Sequence, residues 1–246
     1  MIRIHRSPPP DVLDTPEKEQ ALGQHFETYP STRPWRDESI LTQLFADAHG
    51  KCAYCESLLG SVDNMQVDHF VPKTEVPLLA ATWANLNSSC GTCNQLKKVK
   101  YVYVNPYDQD PREHFFYAAS RLHAVTDEGR TTLKRLRLNQ RFSQQHDVVW
   151  GGVHQLIDAM IDKLERLQAN EHEAELKLDI WTDAMSILES GTPSKPYSAV
   201  VASQLVHYDE WTYAVGMMQR LQVWDDELTR LDAVMRQQAL PNRRAI

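Results

Sequence analysis

Two Cys-x-x-Cys pairs constrain this 246-residue chain more than any other feature. Cys52 and Cys55 form the first pair, Cys90 and Cys93 form the second, and the chain has no other cysteine. Four thiolates with this spacing can reach one tetrahedral Zn²⁺, and a closed four-cysteine site is structural because no coordination position stays open. The sequence therefore predicts a zinc ion that stabilises a loop-rich segment.

Two other states of the four cysteines are compatible with the same spacing, a pair of disulfides and four free thiols. Disulfides belong to oxidising compartments. The N-terminus carries Arg3, Arg6 and the run Pro8–Pro10 instead of an export signal, and no stretch is apolar enough for a membrane span. We expect reduced thiols, a bound zinc ion and a cytoplasmic location.

The segment between the two cysteine pairs has strand-like patterning. Residues 65–71 alternate apolar and polar side chains, which favours a β-strand with Asp68 and His69 on opposite faces. Residues 83–89 form a second strand-like stretch, and the polar, basic run 94–100 predicts a helix. The predicted order is strand, loop, strand, helix.

The ordered motif C-x₂-C, D-H, N-L, C-x₂-C-N-x-x-K over residues 51–98 resembles the HNH endonucleases. This resemblance implies the ββα-metal fold of that family. We therefore expect an α+β protein with a small ββα-metal (HNH) core and a structural four-cysteine zinc site. N-terminal helices and a mainly α-helical C-terminal region would flank this core.

The resemblance also implies a role for each matching residue. His69 would deprotonate the attacking water, Asp68 and Asn94 would ligate a catalytic metal, and Asn85 would pin the loop between the strands. Many family members have histidine at the position of Asn94, so this chain is an H-N-N variant. Phosphate contacts are expected from Lys97 and Lys98.

The side-chain chemistry agrees with these implied roles. A histidine with an ordinary pKa of about 6.5 can act as a general base near neutral pH. Carboxylate and amide oxygens are hard ligands, so a site made of Asp68 and Asn94 favours Mg²⁺ or Mn²⁺ over a second zinc ion.

The charge distribution is unlike that of a free-standing DNA-binding protein. The chain has a formal net charge of −7. Residues 31–146 hold 14 basic against 12 acidic side chains, whereas residues 147–246 hold 9 against 16. Because nucleic-acid affinity depends largely on basic side chains, we expect weak intrinsic substrate binding and a partner that presents the substrate.

The N-terminal half predicts two helices. Thr15 is a suitable N-cap for a helix that runs to about Phe26, and residues 37–48 carry apolar side chains at helical spacing. The whole chain is divided into an N-terminal arm and helix, the nuclease core, a basic connecting segment and a helical C-terminal region, at residues 1–36, 37–110, 111–146 and 147–246.

The connecting segment mixes strand-like and basic stretches. Residues 101–107 and 115–125 alternate as strands do, and a turn is expected at 127–129. The basic run that follows includes Lys134 and Arg135. It is a candidate for a second nucleic-acid contact, and a solvated helix face is the alternative.

The C-terminal region has helical periodicity throughout. Residues 149–167 predict an amphipathic helix, residues 180–188 a second helix, and residues 199–238 a final helical region. The final region is rich in methionine and aromatic side chains. These side chains predict either an ordinary α-helical core or a face that docks a partner protein.

A narrower resemblance covers residues 1–140. The opening M-I-R-I-H-R-S-P-P, the core C-A-Y-C-E with V-D-H-F-x-P-K, and the later D-x-G-x-T-T with L-x-L-N are similar to the PtuB-like HNH subunits of Septu-type and retron-associated anti-phage systems. This resemblance implies an ABC or SMC-like ATPase partner, PtuA-like in the Septu case. The chain itself lacks a Gly-rich phosphate-binding loop.

The combined expectation is a metal-dependent HNH endonuclease that cuts DNA as the effector of a prokaryotic defence complex. One alternative is a ribonuclease, for example one that cuts tRNA, with Tyr101, Tyr103 and Tyr107 as stacking platforms. A second alternative is a non-catalytic, zinc-stabilised adaptor whose C-terminal helices do the binding.

Overall fold

The computed structural model describes residues 1–98, 102–118, 121–170 and 173–241. The chain forms two compact units, and each unit contains two separate stretches of sequence. The first unit comprises Met1–Pro111 and Asp127–Leu136, and the second comprises Arg112–Thr126 and Arg137–Ile246. The four-part functional division made from the sequence stays a prediction.

The first unit contains the expected strand, loop, strand, helix order. Strand β1 (Gln66–His69) pairs antiparallel with strand β2 (Leu86–Ser89), and Asp68 lies opposite Asn87 in the register. Helix α3 (Gly91–Leu96) follows directly. The mixed α and β fold class predicted from the sequence is confirmed.

The element boundaries of this core differ from the predicted ones. The helix predicted over 94–100 begins at Gly91, inside the second cysteine pair, because the Cys90 sulfur caps it and accepts from the Cys93 N–H at 3.4 Å. The last two residues of that prediction lie outside the described residues. The stretch 83–85 is a 3₁₀ turn instead of the start of β2.

Two helices precede the core, as predicted. Helix α1 (Pro16–Thr28) has Thr15 as its N-cap, and helix α2 (Glu38–Asp47) begins after Asp37, whose carboxylate accepts from the Ser39 N–H at 2.9 Å. These caps satisfy backbone donors that have no partner within a helix. The boundaries therefore follow the sequence signals closely.

Helix α1 lies against the turn Pro77–Ala81 in the loop between β1 and β2. A Cβ atom at Gly23 would lie 2.2 Å from the Leu78 carbonyl oxygen, so only glycine permits this approach. The Glu19 carboxylate also accepts from the Trp83 N–H at 2.9 Å. The position of the loop is thus set by a helix that lies far from it in sequence.

The N-terminal arm is joined to the core through Arg6. Its guanidinium donates to the carbonyl oxygens of Trp83 and Leu86, each at 2.8 Å, and to Asn87 Oδ1 at 3.0 Å. The same group lies 4.2 Å from the ring centroid of Tyr107. One cation therefore satisfies acceptors along the start of β2 and packs on an aromatic face.

The second unit consists of a β-hairpin and a set of helices, and the helices pack around one apolar core. Its core includes Ile157, Met160, Ile180 and Trp211, all fully or almost fully buried. None of the helices in the described ranges has both the length and the apolar composition of a membrane span. The elements are β3 (Phe115–Ala118), β4 (Arg121–Ala124), α5 (Leu138–Ala169), α6 (Ala174–Ser190), α7 (Ser198–Leu205), α8 (Asp209–Arg220) and α9 (Asp226–Arg236).

The connecting segment differs from its prediction in two places. The turn expected at 127–129 is the first turn of helix α4 (Asp127–Arg135), where acidic side chains favour the positive end of the helix dipole. The strand predicted over 101–107 is wrong for residues 102–107, which have no regular structure, and Tyr101 lies outside the described residues. The Val104 N–H instead donates to the Thr132 hydroxyl at 2.8 Å.

The C-terminal helices are divided differently from the prediction. The amphipathic helix predicted over 149–167 is the central part of the longer α5. The final region 199–238 is interrupted twice, giving α7, α8 and α9. The second interruption follows from Gln222, whose φ of 57° leaves the helical region, and from Asp225, which caps α9.

The methionine and aromatic side chains of this region are mainly core residues. Trp211, Met217 and Met218 are at most 1% exposed, whereas Tyr213 is 50% exposed. The α-core interpretation therefore accounts for these three buried side chains. Partner docking by the C-terminal region stays a prediction, and it requires other side chains.

We predict that Arg6→Ala lowers the free energy of unfolding by about 3 kcal/mol, because it leaves several acceptors without their charged donor. Arg3→Ala, in the same arm, is the matched control and should change stability by less than about 0.5 kcal/mol. Urea denaturation of both variants measures the difference. Equal midpoints would show that the Arg6 contacts do not stabilise the fold.

Candidate metal centre and active site

The structure brings the four cysteines together. The sulfurs of Cys52, Cys55, Cys90 and Cys93 all lie within 4.8 Å of one another, and the Cys55 and Cys90 sulfurs are 3.9 Å apart. A tetrahedral Zn²⁺ with Zn–S bonds of about 2.3 Å requires sulfur separations of about 3.8 Å. The donor set and its spacing therefore fit a structural zinc ion.

Local backbone geometry forms the first half of this cluster. After Cys55 the chain takes a positive φ of 59° at Glu56, and the Glu56 N–H donates to the Cys52 carbonyl at 2.9 Å. The Ala53 N–H donates to the Ser88 carbonyl at 3.0 Å, which joins this turn to β2. None of the four cysteines forms a disulfide, so the disulfide alternative is not what the structure contains.

Burial makes several thiolates in this cluster costly unless a cation neutralises them. Burial raises the pKa of the Cys52 thiol. Hydrogen bonds from Cys52, then from Cys55 and Cys93, lower the pKa of Cys90, which concentrates negative charge on its sulfur. A dication would allow all four thiols to deprotonate, as zinc ligation requires.

Asp68 is almost fully buried and is bound on both carboxylate oxygens. The Tyr54 hydroxyl donates to Oδ2 at 2.5 Å, and the Lys97 ammonium lies 3.2 Å from Oδ1. Burial, and next the Asp68 charge, raise the pKa of Tyr54, so the phenol stays protonated and donates. The carboxylate is thereby held in one orientation beside His69.

Lys97 lies inside the site instead of on its surface. Its side chain is 5% exposed, and its ammonium donates to Asp68 and to the carbonyl oxygens of His69 and Phe70, the latter two at 3.0 and 2.9 Å. These three acceptors use its three N–H donors. Lys97, which was predicted to contact phosphate, therefore binds backbone carbonyl oxygens of the candidate active site instead.

The His69 ring is held between an aromatic side chain and a backbone acceptor. Its centroid lies 4.6 Å from that of Trp35 with the two planes at 88°, and its Nε2 is 3.0 Å from the Ala80 carbonyl oxygen. The ring is only slightly exposed. These contacts fix the direction in which the other nitrogen points.

The protonation state of His69 follows from these surroundings. Burial, and next the charges of Lys73 and Lys97, lower the pKa of His69 to about 4, against a raising effect of the Ala80 carbonyl. The ring is therefore neutral at pH 7. Because a carbonyl can only accept, Nε2 carries the proton and Nδ1 keeps its lone pair, as a general base requires.

Asn85 bridges the two ends of the loop between the strands. Its Oδ1 accepts from the Val71 N–H at 2.6 Å, and its Nδ2 donates to the carbonyl oxygens of Val71 and Leu79 at 2.9 and 3.0 Å. Ala80, which binds the His69 ring, follows Leu79 directly. The amide of Asn85 thus positions the general-base candidate through the backbone.

Asn94 lies in α3, directly after the last zinc-ligand candidate. Its Nδ2 donates to Gln66 Oε1 at 3.0 Å, which leaves the amide oxygen available to a cation. Asp68 and Asn94 line the same cleft, of about 190 Å³. The carboxylate and amide oxygens of these two residues are donor types that would fit Mg²⁺ or Mn²⁺.

The cleft is bordered by further cations. Lys73 and the exposed Lys98 line it together with Asp68, His69 and Asn94. By contrast, Lys134 and Arg135 are exposed on α4 and are not among the residues that line this cleft.

Two residues of the site were not predicted from the sequence. Tyr54 lies between the first two cysteines and binds Asp68, and its position inside the motif is a signal that could have identified it. Trp35 contacts the His69 ring from a 3₁₀ turn before α2, and no local pattern in the sequence indicates this contact.

Comparison with known proteins agrees with this geometry. Residues 52–100 match the model of the family described as HNH endonuclease. The chain is 27% identical to Septu protein PtuB of Bacillus thuringiensis, over 94% of this chain and 92% of that protein. It is 22% identical to Septu protein PtuB of Bacillus mycoides (strain KBAB4), over 82% of this chain and 88% of that protein.

A third relative covers mainly the core. The chain is 36% identical, over 26% of its length and 36% of the relative, to a protein of Vibrio cholerae serotype O1 biovar El Tor described as an HNH endonuclease of Retron Vc95. No solved structure matches the chain significantly. The chain thus carries an HNH endonuclease domain, and the prediction that it is a nuclease is confirmed.

We predict that Cys90→Ser releases the metal and unfolds the segment around β1 and β2. Zinc binding contributes on the order of 10 kcal/mol in small zinc-dependent modules, more than such a short hairpin gains by burial. Elemental analysis should find one zinc ion per parent chain and none in the variant. Thr92→Ala, an exposed change inside the same cysteine pair, is the control and should retain zinc.

We predict that Lys97→Met destabilises the fold by about 3 kcal/mol, because the buried Asp68 carboxylate loses its paired cation. Lys98→Met is the matched control, since it removes the same charge from the exposed neighbouring side chain and should cost less than about 0.5 kcal/mol. Denaturant unfolding compares the two variants. If both were equally stable, the Asp68 pair would have no structural role.

Proposed function

We propose that this chain, which carries an HNH endonuclease domain, hydrolyses phosphodiester bonds in DNA as the effector of an anti-phage defence complex. The observation that supports this most strongly is the state of His69. Its neutral ring is anchored through Nε2 to the Ala80 carbonyl, so Nδ1 is the basic nitrogen, and the ring lines the same cleft as Asp68 and Asn94.

In the proposed reaction, His69 Nδ1 accepts a proton from the water that attacks the scissile phosphate. The pKa of about 4 keeps this nitrogen free of a proton at neutral pH. A phosphate in the cleft would bring negative charge near the ring and so favour its protonated form as the proton is transferred. Trp35 and Ala80 hold the ring while this occurs.

The remaining residues of the site would bind the metal ion, orient its carboxylate ligand and contact phosphate. Asp68 and Asn94 would hold Mg²⁺ or Mn²⁺, which when bound supplies a Lewis acid for the phosphoryl and leaving oxygens. Tyr54 and Lys97 keep the Asp68 carboxylate oriented. The exposed Lys98, at the border of the cleft, is suited to contact a neighbouring phosphate.

The proposed setting is a complex with an ATPase. The chain is similar to the Septu protein PtuB over most of its length, and its net charge of −7 disfavours strong binding of nucleic acid by the chain alone. An ATPase partner of the ABC or SMC-like type would supply substrate capture. Four cysteines without a disulfide agree with a reducing compartment such as the cytoplasm.

Ribonuclease activity is the alternative for the same catalytic residues. The prediction of this alternative from the sequence depends on tyrosines that could stack on unpaired bases. Tyr103 and Tyr107 are 2% and 4% exposed, and Tyr107 packs on Arg6 instead, so neither ring offers a stacking face. Tyr101 lies outside the described residues. The burial of Tyr103 and Tyr107 removes the stacking argument for RNA in the described part of the chain.

We predict that the chain, assayed with its ATPase partner in Mg²⁺ or Mn²⁺, cleaves plasmid DNA, and that His69→Ala abolishes cleavage. Loss of a general base typically lowers the rate by about 10²-fold to 10⁴-fold. Gel analysis of plasmid DNA and of total RNA in parallel identifies the substrate. The zinc content of the variant should be unchanged, since His69 is not a ligand of the cysteine cluster.

His207→Ala is the matched control, because His207 is exposed on the second unit. It should cleave at the parental rate. Cleavage of RNA instead of DNA would establish the ribonuclease alternative. Equal activity of the parent and of His69→Ala, or no cleavage of either substrate with the partner present, would contradict the proposed function and favour the adaptor.

A further inference from the structure

A second cleft lies next to the catalytic one in the first unit. It has a volume of about 480 Å³ and shares Val67, Lys73 and Asn94 with the catalytic cleft. Its other wall comes from the segment between α1 and α2, which includes Arg33, Trp35 and Arg36. A continuous path therefore leads from the catalytic residues to this segment, and we call the second cleft the side groove.

The charged side chains of the side groove are mainly basic. Arg33 and Arg36 are exposed, Lys73 is half-buried, and Asp63 is the acidic residue among those that line the groove. In the described part of the chain, none of the three cations forms an ion pair with a carboxylate.

These three cations differ in their pairing from Lys18 and Lys97 of the same unit. Lys18 is paired with Asp14 at 2.7 Å, and Lys97 is paired with Asp68 at 3.2 Å. Lys73, at the junction of the two clefts, instead lies 5.0 Å from the Trp35 ring centroid. This contact holds the ammonium at the junction without neutralising its charge.

The groove lacks the features needed to recognise bases. Trp35 is the aromatic residue among those that line it, and it is 8% exposed with its ring against His69. Recognition of unpaired bases requires accessible aromatic faces, whereas recognition of a backbone requires cations. The chemistry of the groove therefore fits phosphates and not nucleobases.

We propose that the side groove binds the phosphodiester backbone of the DNA strand that enters the catalytic cleft, with Arg33, Arg36 and Lys73 as phosphate contacts. This proposal rests on the proposed function, because it assigns a path to the substrate of that site. Binding is independent of base sequence. The groove concentrates positive charge beside the catalytic residues of a chain whose net charge is −7.

The test measures binding separately from cleavage. In a His69→Ala background, without added Mg²⁺, a fluorescein-labelled 30-base-pair DNA duplex is titrated with the zinc-loaded chain at several salt concentrations from 25 mM upwards. The variant Arg33→Gln/Arg36→Gln/Lys73→Gln should bind at least about tenfold more weakly. The slope of log K against log salt should decrease in magnitude by up to about 0.9 for each contact removed.

Arg166→Gln/Arg220→Gln/Lys195→Gln is the matched control, because it removes three exposed basic charges from the second unit. It should retain most of the affinity of the parent. Circular dichroism and zinc content confirm that the groove variant is folded. Single-stranded RNA of the same length, titrated in parallel, should bind more weakly to the parent than the DNA duplex.

Three results would overturn the proposal. They are equal affinity and salt slope for the parent and the groove variant, an equal loss in the control variant, and no DNA binding by the parent at 25 mM salt. In each case cleavage that depends on His69 could still be observed, so the proposed function would stand. Tighter binding of RNA than of DNA would instead count against DNA as the ligand of the groove.

Discussion

The convergence of four cysteine sulfurs within 4.8 Å is the constraint on which the first unit depends. One cysteine pair precedes β1 and the other follows β2, so the cluster closes the open end of the hairpin, where β1 begins and β2 ends. The second pair also caps α3, which places Asn94 and Lys97 beside β1. A short hairpin with little apolar surface of its own thereby becomes a rigid support for the site.

The metal centre and the active site are physically continuous. Tyr54, from the first cysteine pair, and Lys97, from the end of α3, bind the two oxygens of Asp68 from different sides. A change in the spacing of the two cysteine pairs would therefore alter the orientation of this carboxylate. The cysteine cluster and the candidate active site are therefore linked through the contacts to Asp68.

The local part of this arrangement could be predicted from the sequence. The spacing of the motif gave the order of β1, β2 and α3, and cap residues gave the start of α1. Features that depend on distant contacts were missed, namely the burial of Lys97 against backbone carbonyls and the packing of Trp35 on His69. A sequence motif identifies which residues converge, but it does not indicate which of them are enclosed.

Two errors in the predicted secondary structure have identifiable physical causes. The segment 127–129 contains a glycine, which usually indicates a turn, yet Gly129 is buried within α4 and the acidic residues before it stabilise the start of the helix. The residues 102–107 have strand-like composition, but their two described aromatic side chains are buried in tertiary contacts. Tyr107 packs on Arg6, and the Tyr103 hydroxyl accepts from the Lys98 N–H at 2.8 Å. In the first case charge at the helix start outweighed the turn signal of the glycine, and in the second case tertiary packing outweighed strand propensity.

The close approach of Gly23 to Leu78 has a consequence for where inactivating mutations can occur. A single added methyl group on α1 would displace the turn that carries the Ala80 carbonyl, and with it the partner that selects the tautomer of His69. Loss-of-function alleles should therefore arise at a helix position that touches neither metal nor substrate. A genetic screen that reads only residues near the reaction centre would overlook this position.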